Sequence, residues 1–136
     1  MQKPAKKTPS PPENGFHVRT KTWIENDKQQ LVFGKGKTEI LELIEQEGSI
    51  AKAAEKMGLN YKKAWTHIKI LQNLIEDELV IPQKGGGGRG GTELTGRAHD
   101  LVHKYRQLQL DIEAYANQRF QQLFLSEGLP DQSSSL

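Results

Sequence analysis

Between Asn60 and Lys69 the chain reads NYKKAWTHIK, a run dense in groups that bind phosphates and base edges. Lys62, Lys63 and Lys69 carry ammonium charges, which pair with phosphate oxygens. His67 can donate to a base or a phosphate, or remain a solvated group making a contact within its own helix. Tyr61 can touch a sugar-phosphate or pack on a neighbouring hairpin. Downstream, KGGGGRGG at residues 84–91 has Lys84 and Arg89 as its only charges. A glycine backbone can lie close to phosphates because no side chain intervenes, and two cations can then reach them. The chemistry suggested is recognition of a polyanion.

Other chemistries fit these residues less well. Gly85, Gly87 and Gly90 satisfy G-x-G-x-x-G, the dinucleotide fingerprint, but a run of glycines matches any glycine pattern. The fingerprint also needs a parallel βαβ unit, and only antiparallel hairpins are readable here. No Gly-Lys-Ser/Thr occurs, so the Walker pattern fails. His99 and His103 are four residues apart and could clasp a metal. Position 100 is Asp100 rather than the glutamate of a zinc protease, and no cysteine or nearby third histidine completes a site. They are read as surface or dimer-flank histidines. No Ser/His/Asp or Cys/His grouping stands out, and no nucleophile elbow. Neither catalysis, a metal nor a cofactor is expected.

The elements that must position these groups follow from periodicity and punctuation. Ser49 caps a helix whose inner face is Ala53, Ala54 and Met57, and Gly58 allows the left-handed turn that ends it. Asn60 caps the next. There Ala64, Ile68, Leu71 and Ile75 share one side, and Lys62, Thr66, Lys69 and Asn73 the other. Trp65 flanks the buried stripe and is assigned to the core. Small inner residues let two helices cross closely, as in a helix-turn-helix, whose second helix enters the DNA major groove.

Before this pair, Phe16 to Ile24 alternates in strand fashion, Glu25 to Lys28 turns, and Leu31-Val32-Phe33 returns. Gly34 and Gly36 end that hairpin. A helix from about Lys37 to Gly48 follows, with Ile40, Leu41, Leu43 and Ile44 buried. After the pair, Val80-Ile81 and Thr92-Glu93-Leu94 flank the glycine loop as a second hairpin, a wing. Thr95 caps a helix to about Ser126. Its residues Ala98, Leu101, Tyr105, Leu108, Ile112 and Tyr115 form a heptad seam, which shifts register at Ala116, Phe120 and Leu123 as in a stutter. Such a helix runs roughly 45 Å, longer than a small domain needs, so part of the seam should pack on a second copy.

Composition sets the bounds. The 136 residues allow one compact domain plus a long helix or tails, and 35% hydrophobic content implies one modest core. The net charge is only +2, yet residues 49–75 hold five lysines against Glu55 alone, a local +4. There is no cysteine, and no apolar run resembles a membrane span or a signal-peptide core, so a soluble, cytoplasmic protein is expected. The proline- and lysine-containing residues 1–15 read as a disordered basic tail, and residues 127–136 as another tail.

These motifs resemble a known family. AAEKMGLNYKKAWTHIKIL is similar to the helix-turn-helix of LysR-type regulators, with its AA-x-x-x-G-(hydrophobic)-(Ser/Asn) core. The fuller run GSIAKAAEKMGLNYKKAWTHIKILQNL, then VIPQKGGGGRGGTELT and a long helix, resembles more closely the N-terminal domain of the ModE family of molybdate-responsive transcription regulators. The likeness covers about residues 16–124. It implies that Tyr61, Lys62, Lys63 and Thr66 approach bases and phosphates, that Lys84 and Arg89 lie in the wing, and that the long helix holds a dimer. The family's molybdate-binding C-terminal barrels have no counterpart after that helix, so no small-molecule effector is expected within this chain.

The expected fold is mostly α with short β hairpins. It comprises a winged helix-turn-helix over residues 16–94 with an N-terminal β hairpin, and a long dimerisation helix over 95–126. The expected function is sequence-specific DNA binding by a homodimeric transcription regulator at a pseudo-palindromic site, its halves roughly 34 Å or a multiple apart. The DNA-facing set is Asn60, Tyr61, Lys62, Lys63, Thr66, His67, Lys69, Lys84 and Arg89. The dimer set is Leu101, Tyr105, Leu108, Ile112, Tyr115 and Phe120. The alternative is a protein-interaction module that dimerises with, or competes against, a full-length regulator without reading DNA.

Overall fold

Local capping sets the boundaries of the central helices in the computed structural model, which describes residues 15–83 and 91–125. Residues Thr22–Tyr105 form one compact unit, and the described residues through Lys21 pack with those from Arg106 onward as another. In the first unit, β1 (Ile24–Glu25) pairs antiparallel with β2 (Leu31–Phe33). Asn26 closes the turn between them, its Oδ1 accepting from the backbone N–H groups of Lys28 and Gln30 at 3.0 Å each.

Helix α1 (Lys35–Glu47) follows, then α2 (Ile50–Lys56) and α3 (Tyr61–Ile75). Ser49 Oγ accepts from Lys52 N at 3.0 Å, and Asn60 Oδ1 from Lys63 N at 2.7 Å. Each cap satisfies one of the N–H groups that a helix start leaves free, worth about 1 kcal/mol. Gly58 takes the left-handed conformation (φ 70°) between α2 and α3. Ala53, Ala54 and Ala64 are all fully buried between the crossing helices. Ile44 of α1 and Ile68 and Leu71 of α3 complete this centre.

Strands β3 (Val80–Gln83) and β4 (Gly91–Leu94) pair antiparallel, Val80 facing Leu94 and Gln83 facing Gly91. Thr95 Oγ1 donates to Glu78 O at 2.8 Å and accepts from Ala98 N at 3.1 Å, so one hydroxyl both closes the hairpin base and caps α4 (Gly96–Phe120). Helices α2 and α3 with this hairpin make a winged helix-turn-helix. The hairpin is tied to the α1–α2 junction by Thr92 N–H donating to Gly48 O at 2.8 Å. A Cβ on Gly91 would stand 2.7 Å from that same carbonyl oxygen. Gly91→Ala is therefore expected to destabilise the fold by about 1–3 kcal/mol, seen as a lower urea midpoint.

The sequence expectation needs three corrections here. The strand predicted over residues 16–24 is confined to Ile24–Glu25, and residues 16–21 run as extended chain with no strand partner. Their alternation is real, since Phe16, Val18 and Thr20 are half-buried while His17, Arg19 and Lys21 are exposed. They face the second half of α4. Asn117 serves as a one-residue substitute for a strand, its Oδ1 accepting from Val18 N at 2.7 Å and its Nδ2 donating to Val18 O at 3.1 Å. Glu113 Oε1 accepts from the backbone N and the hydroxyl of Thr20, each at 3.3 Å. Helix α1 also begins at Lys35 and not near Lys37, so Gly36 lies inside its first turn.

The third correction concerns the heptad seam. Tyr105, assigned to a dimer contact, is only 2% exposed and packs edge-to-face on Phe33 with ring centroids 5.3 Å apart. Its hydroxyl donates to Thr22 O at 2.7 Å. Ala98 is fully buried and Leu101 packs on the same core, so the first part of the seam serves this chain's own domain. Tyr105→Phe should cost about 1 kcal/mol, lowering the urea midpoint without changing the slope of the transition. Farther along, Leu108, Ile112 and Tyr115 are exposed. Phe120 is half-buried, lying against Phe16 (6.3 Å between centroids) and stacked on Phe124 (5.2 Å). A π-helical turn, Gln121–Leu125, follows α4. The two predicted tails lie almost wholly outside the described residues. No helix among those described is long and apolar enough to cross a membrane.

Candidate nucleic-acid interface

The outer face of α3 is set by what its inner face must do. Burying Ala64, Ile68 and Leu71 turns Tyr61, Lys62, Lys63, Thr66, Lys69, Ile70 and Asn73 to the surface, where all are exposed. Asn60 sits at the helix start with its side-chain oxygen committed to Lys63 N, leaving its amide NH₂ as a donor. Thr66 Oγ1 donates to Lys62 O at 2.8 Å. Its hydroxyl proton is thus used within the helix, and what it offers outward is an acceptor, suited to an amino group on a base edge. Phosphates would instead meet the ammonium groups of Lys62, Lys63 and Lys69.

Trp65 is half-buried against the core, as its position beside the stripe suggested, and Lys69 Nζ lies 6.0 Å from its ring centroid. That distance is at the limit of a cation–π contact, so the lysine head group stays available. Tyr61 is 52% exposed on the first turn. His67 is half-buried, and its pKa is held below the ordinary histidine value by burial first and then by the charges of Lys37 and Lys63.

Lys37 is a residue that sequence reasoning left out of this surface. It belongs to α1, and only the packing of α1 on α3 brings its charge to His67. Nothing in the local pattern of α1 could have marked it. Lys84 and Arg89, predicted to reach phosphates from the wing, lie outside the described residues, as do Gly85, Gly87 and Gly90. The strands flanking that loop are antiparallel partners, the wrong frame for a dinucleotide fingerprint.

The other candidate groups lie elsewhere on the unit. His99 Nδ1 is 3.4 Å from Glu45 Oε2 of α1 while His103 is exposed. Among the described residues no three histidine, cysteine, aspartate or glutamate side chains gather to hold a metal ion.

No protein-family model matches the chain. A molybdenum transport protein ModE of Azotobacter vinelandii is 41% identical over 75 residues, covering 55% of this chain and 28% of its own length. A transcriptional regulator ModE of Yersinia pestis is 35% identical over 78 residues, covering 57% of this chain and 30% of its own length. The DNA-binding transcriptional dual regulator ModE of Escherichia coli K12 matches at the same identity and coverage. Among solved structures, the crystal structure of a CbnR_DBD–DNA complex aligns with a TM-score of 0.46 and 16% identity, over 64% of this chain and 93% of that one. More than half of the chain is thus homologous to proteins named ModE, and it spans under a third of the length of these relatives.

Proposed function

We propose that this chain is the DNA-reading part of a transcription regulator of the ModE kind, acting as a homodimer on a pseudo-palindromic site. The observation that carries this reading is the outer face of α3. It is a capped helix with three exposed lysines, a threonine acceptor and no acidic residue in its first turn. The close crossing of α2 and α3 through buried alanines leaves this face projecting, and the docked β3–β4 hairpin adds a second edge. The relatives' description as transcriptional regulators, one of them DNA-binding, supports the same reading.

Fluorescence anisotropy with mixed-sequence duplex, at low and moderate salt, tests it directly. Salt-sensitive binding, strengthened when sites selected from random duplexes are used, is the expected result. Absence of salt-sensitive binding at micromolar protein would favour the other reading. In that reading the exposed Leu108, Ile112 and Tyr115 serve an interaction module that pairs with a full-length regulator.

A further inference from the structure

The surface of α3 is joined by a group from outside the two-helix motif. Lys37 is half-buried in α1 and has no carboxylate partner among the described residues. Burial lowers its pKa, and its charge reaches His67, which Lys63 also faces from one turn back on α3. The groups around the imidazole come from each neighbouring element. Lys37 acts from α1 and Lys63 from α3 itself. Strand β2, which also packs on α3, has no ionisable side chain, and Lys52, Glu55 and Lys56 of α2 are not among the charges that act on it. No carboxylate offsets the two lysines there. Partly desolvated cations gathered without a counter-charge are unfavourable alone, and an incoming phosphate oxygen relieves them.

We infer that Lys37, Lys63 and His67 form one subsite, built jointly by α1 and α3, that holds a backbone phosphate of the duplex bound by α3. This rests on the reading of α3 as the DNA-contacting helix. It adds a contact from α1 and couples binding to a proton. In the free protein the depressed imidazole is neutral at neutral pH. A phosphate beside it reverses the local field and favours the imidazolium, so binding takes up a proton and affinity rises as pH falls.

The test uses the full chain, labelled mixed-sequence duplex and anisotropy at about pH 6 and about pH 8 at matched ionic strength. The unsubstituted protein should bind more tightly at the lower pH. Lys37→Gln should weaken binding by about tenfold and flatten the salt dependence by about one unit, while Lys37→Arg, which keeps the charge, should not. His67→Gln should bind with little dependence on pH. Independently of DNA, NMR titration of the free protein should show the His67 midpoint rising in Lys37→Gln. Salt-sensitive binding that is unaltered by Lys37→Gln, or a pH dependence that persists in His67→Gln, overturns the subsite and leaves the DNA-reading role standing. No salt-sensitive binding by the unsubstituted protein overturns both. A His67 shift produced as fully by inorganic phosphate as by duplex would make this a general anion site and reject the duplex contact.

Discussion

Replacing Ile112 and Tyr115 together by glutamate is expected to turn a dimer into a monomer in light scattering. Affinity for a duplex carrying two half-sites should fall by about 10²–10⁴-fold, with half-site affinity unchanged. The expectation rests on the part of the seam that the chain does not use internally. Leu108, Ile112 and Tyr115 recur at heptad spacing and remain exposed, Tyr115 at 62%. A two-fold axis through that face would bring each residue near its own copy, so glutamates introduce like-charge repulsion as well as removing apolar contact. Affinity falls so far because, in a dimer, the second half-site is met as an intramolecular event. The substituted positions lie far along α4 from Tyr105 and the core it closes, so the helical signal should persist. An unsubstituted protein that stays monomeric at high concentration would sink the dimer proposal.

Removing both charges in Lys62→Ala/Lys63→Ala should weaken duplex binding on the order of 50-fold near 0.1 M salt and flatten the salt dependence by about two units. Each phosphate contact releases condensed counterions, so the slope of affinity against salt counts contacts where a single affinity does not. The fold should be untouched. Both side chains are exposed, and the capping bond from Asn60 is made to the backbone N–H of Lys63, which alanine retains. The loss should be nearly equal across DNA sequences, because phosphate contacts position the helix without reading bases. An unchanged slope would show that this face of α3 does not meet the backbone, and the groove assignment would be wrong.

The candidate interface was legible because its determinants are local. Ser49 and Asn60 cap helices within three residues of themselves, Gly58 turns on its own backbone freedom, and the Ala64–Ile68–Leu71 stripe points inward once the segment is helical. Thr95 was readable as a cap for the same reason, but its second bond, to Glu78 O, joins residues on either side of the hairpin and leaves no mark in the pattern. The alternation of residues 16–21 was read correctly as a two-sided extended chain and incorrectly as a ladder. Period two states that alternate residues are buried, not whether a strand or a helix covers them.

The amino-acid order by itself therefore determined where α2 and α3 begin and end, which side of α3 carries the lysines, and where the hairpin strands lie. It also determined that one face of α4 is apolar. Only the tertiary structure decided how that face is divided, with Leu101 and Tyr105 closing this chain's own core and Ile112 and Tyr115 left outside it. Only the tertiary structure put Lys37 beside His67 and Asn117 beside Val18. The physical reason is range. Caps, turns and periodicity are fixed by bonds and sterics within about one helical turn. Which apolar surface meets which, and which charges become neighbours, depends on how separate helices dock, and a heptad or a lone lysine is compatible with several dockings.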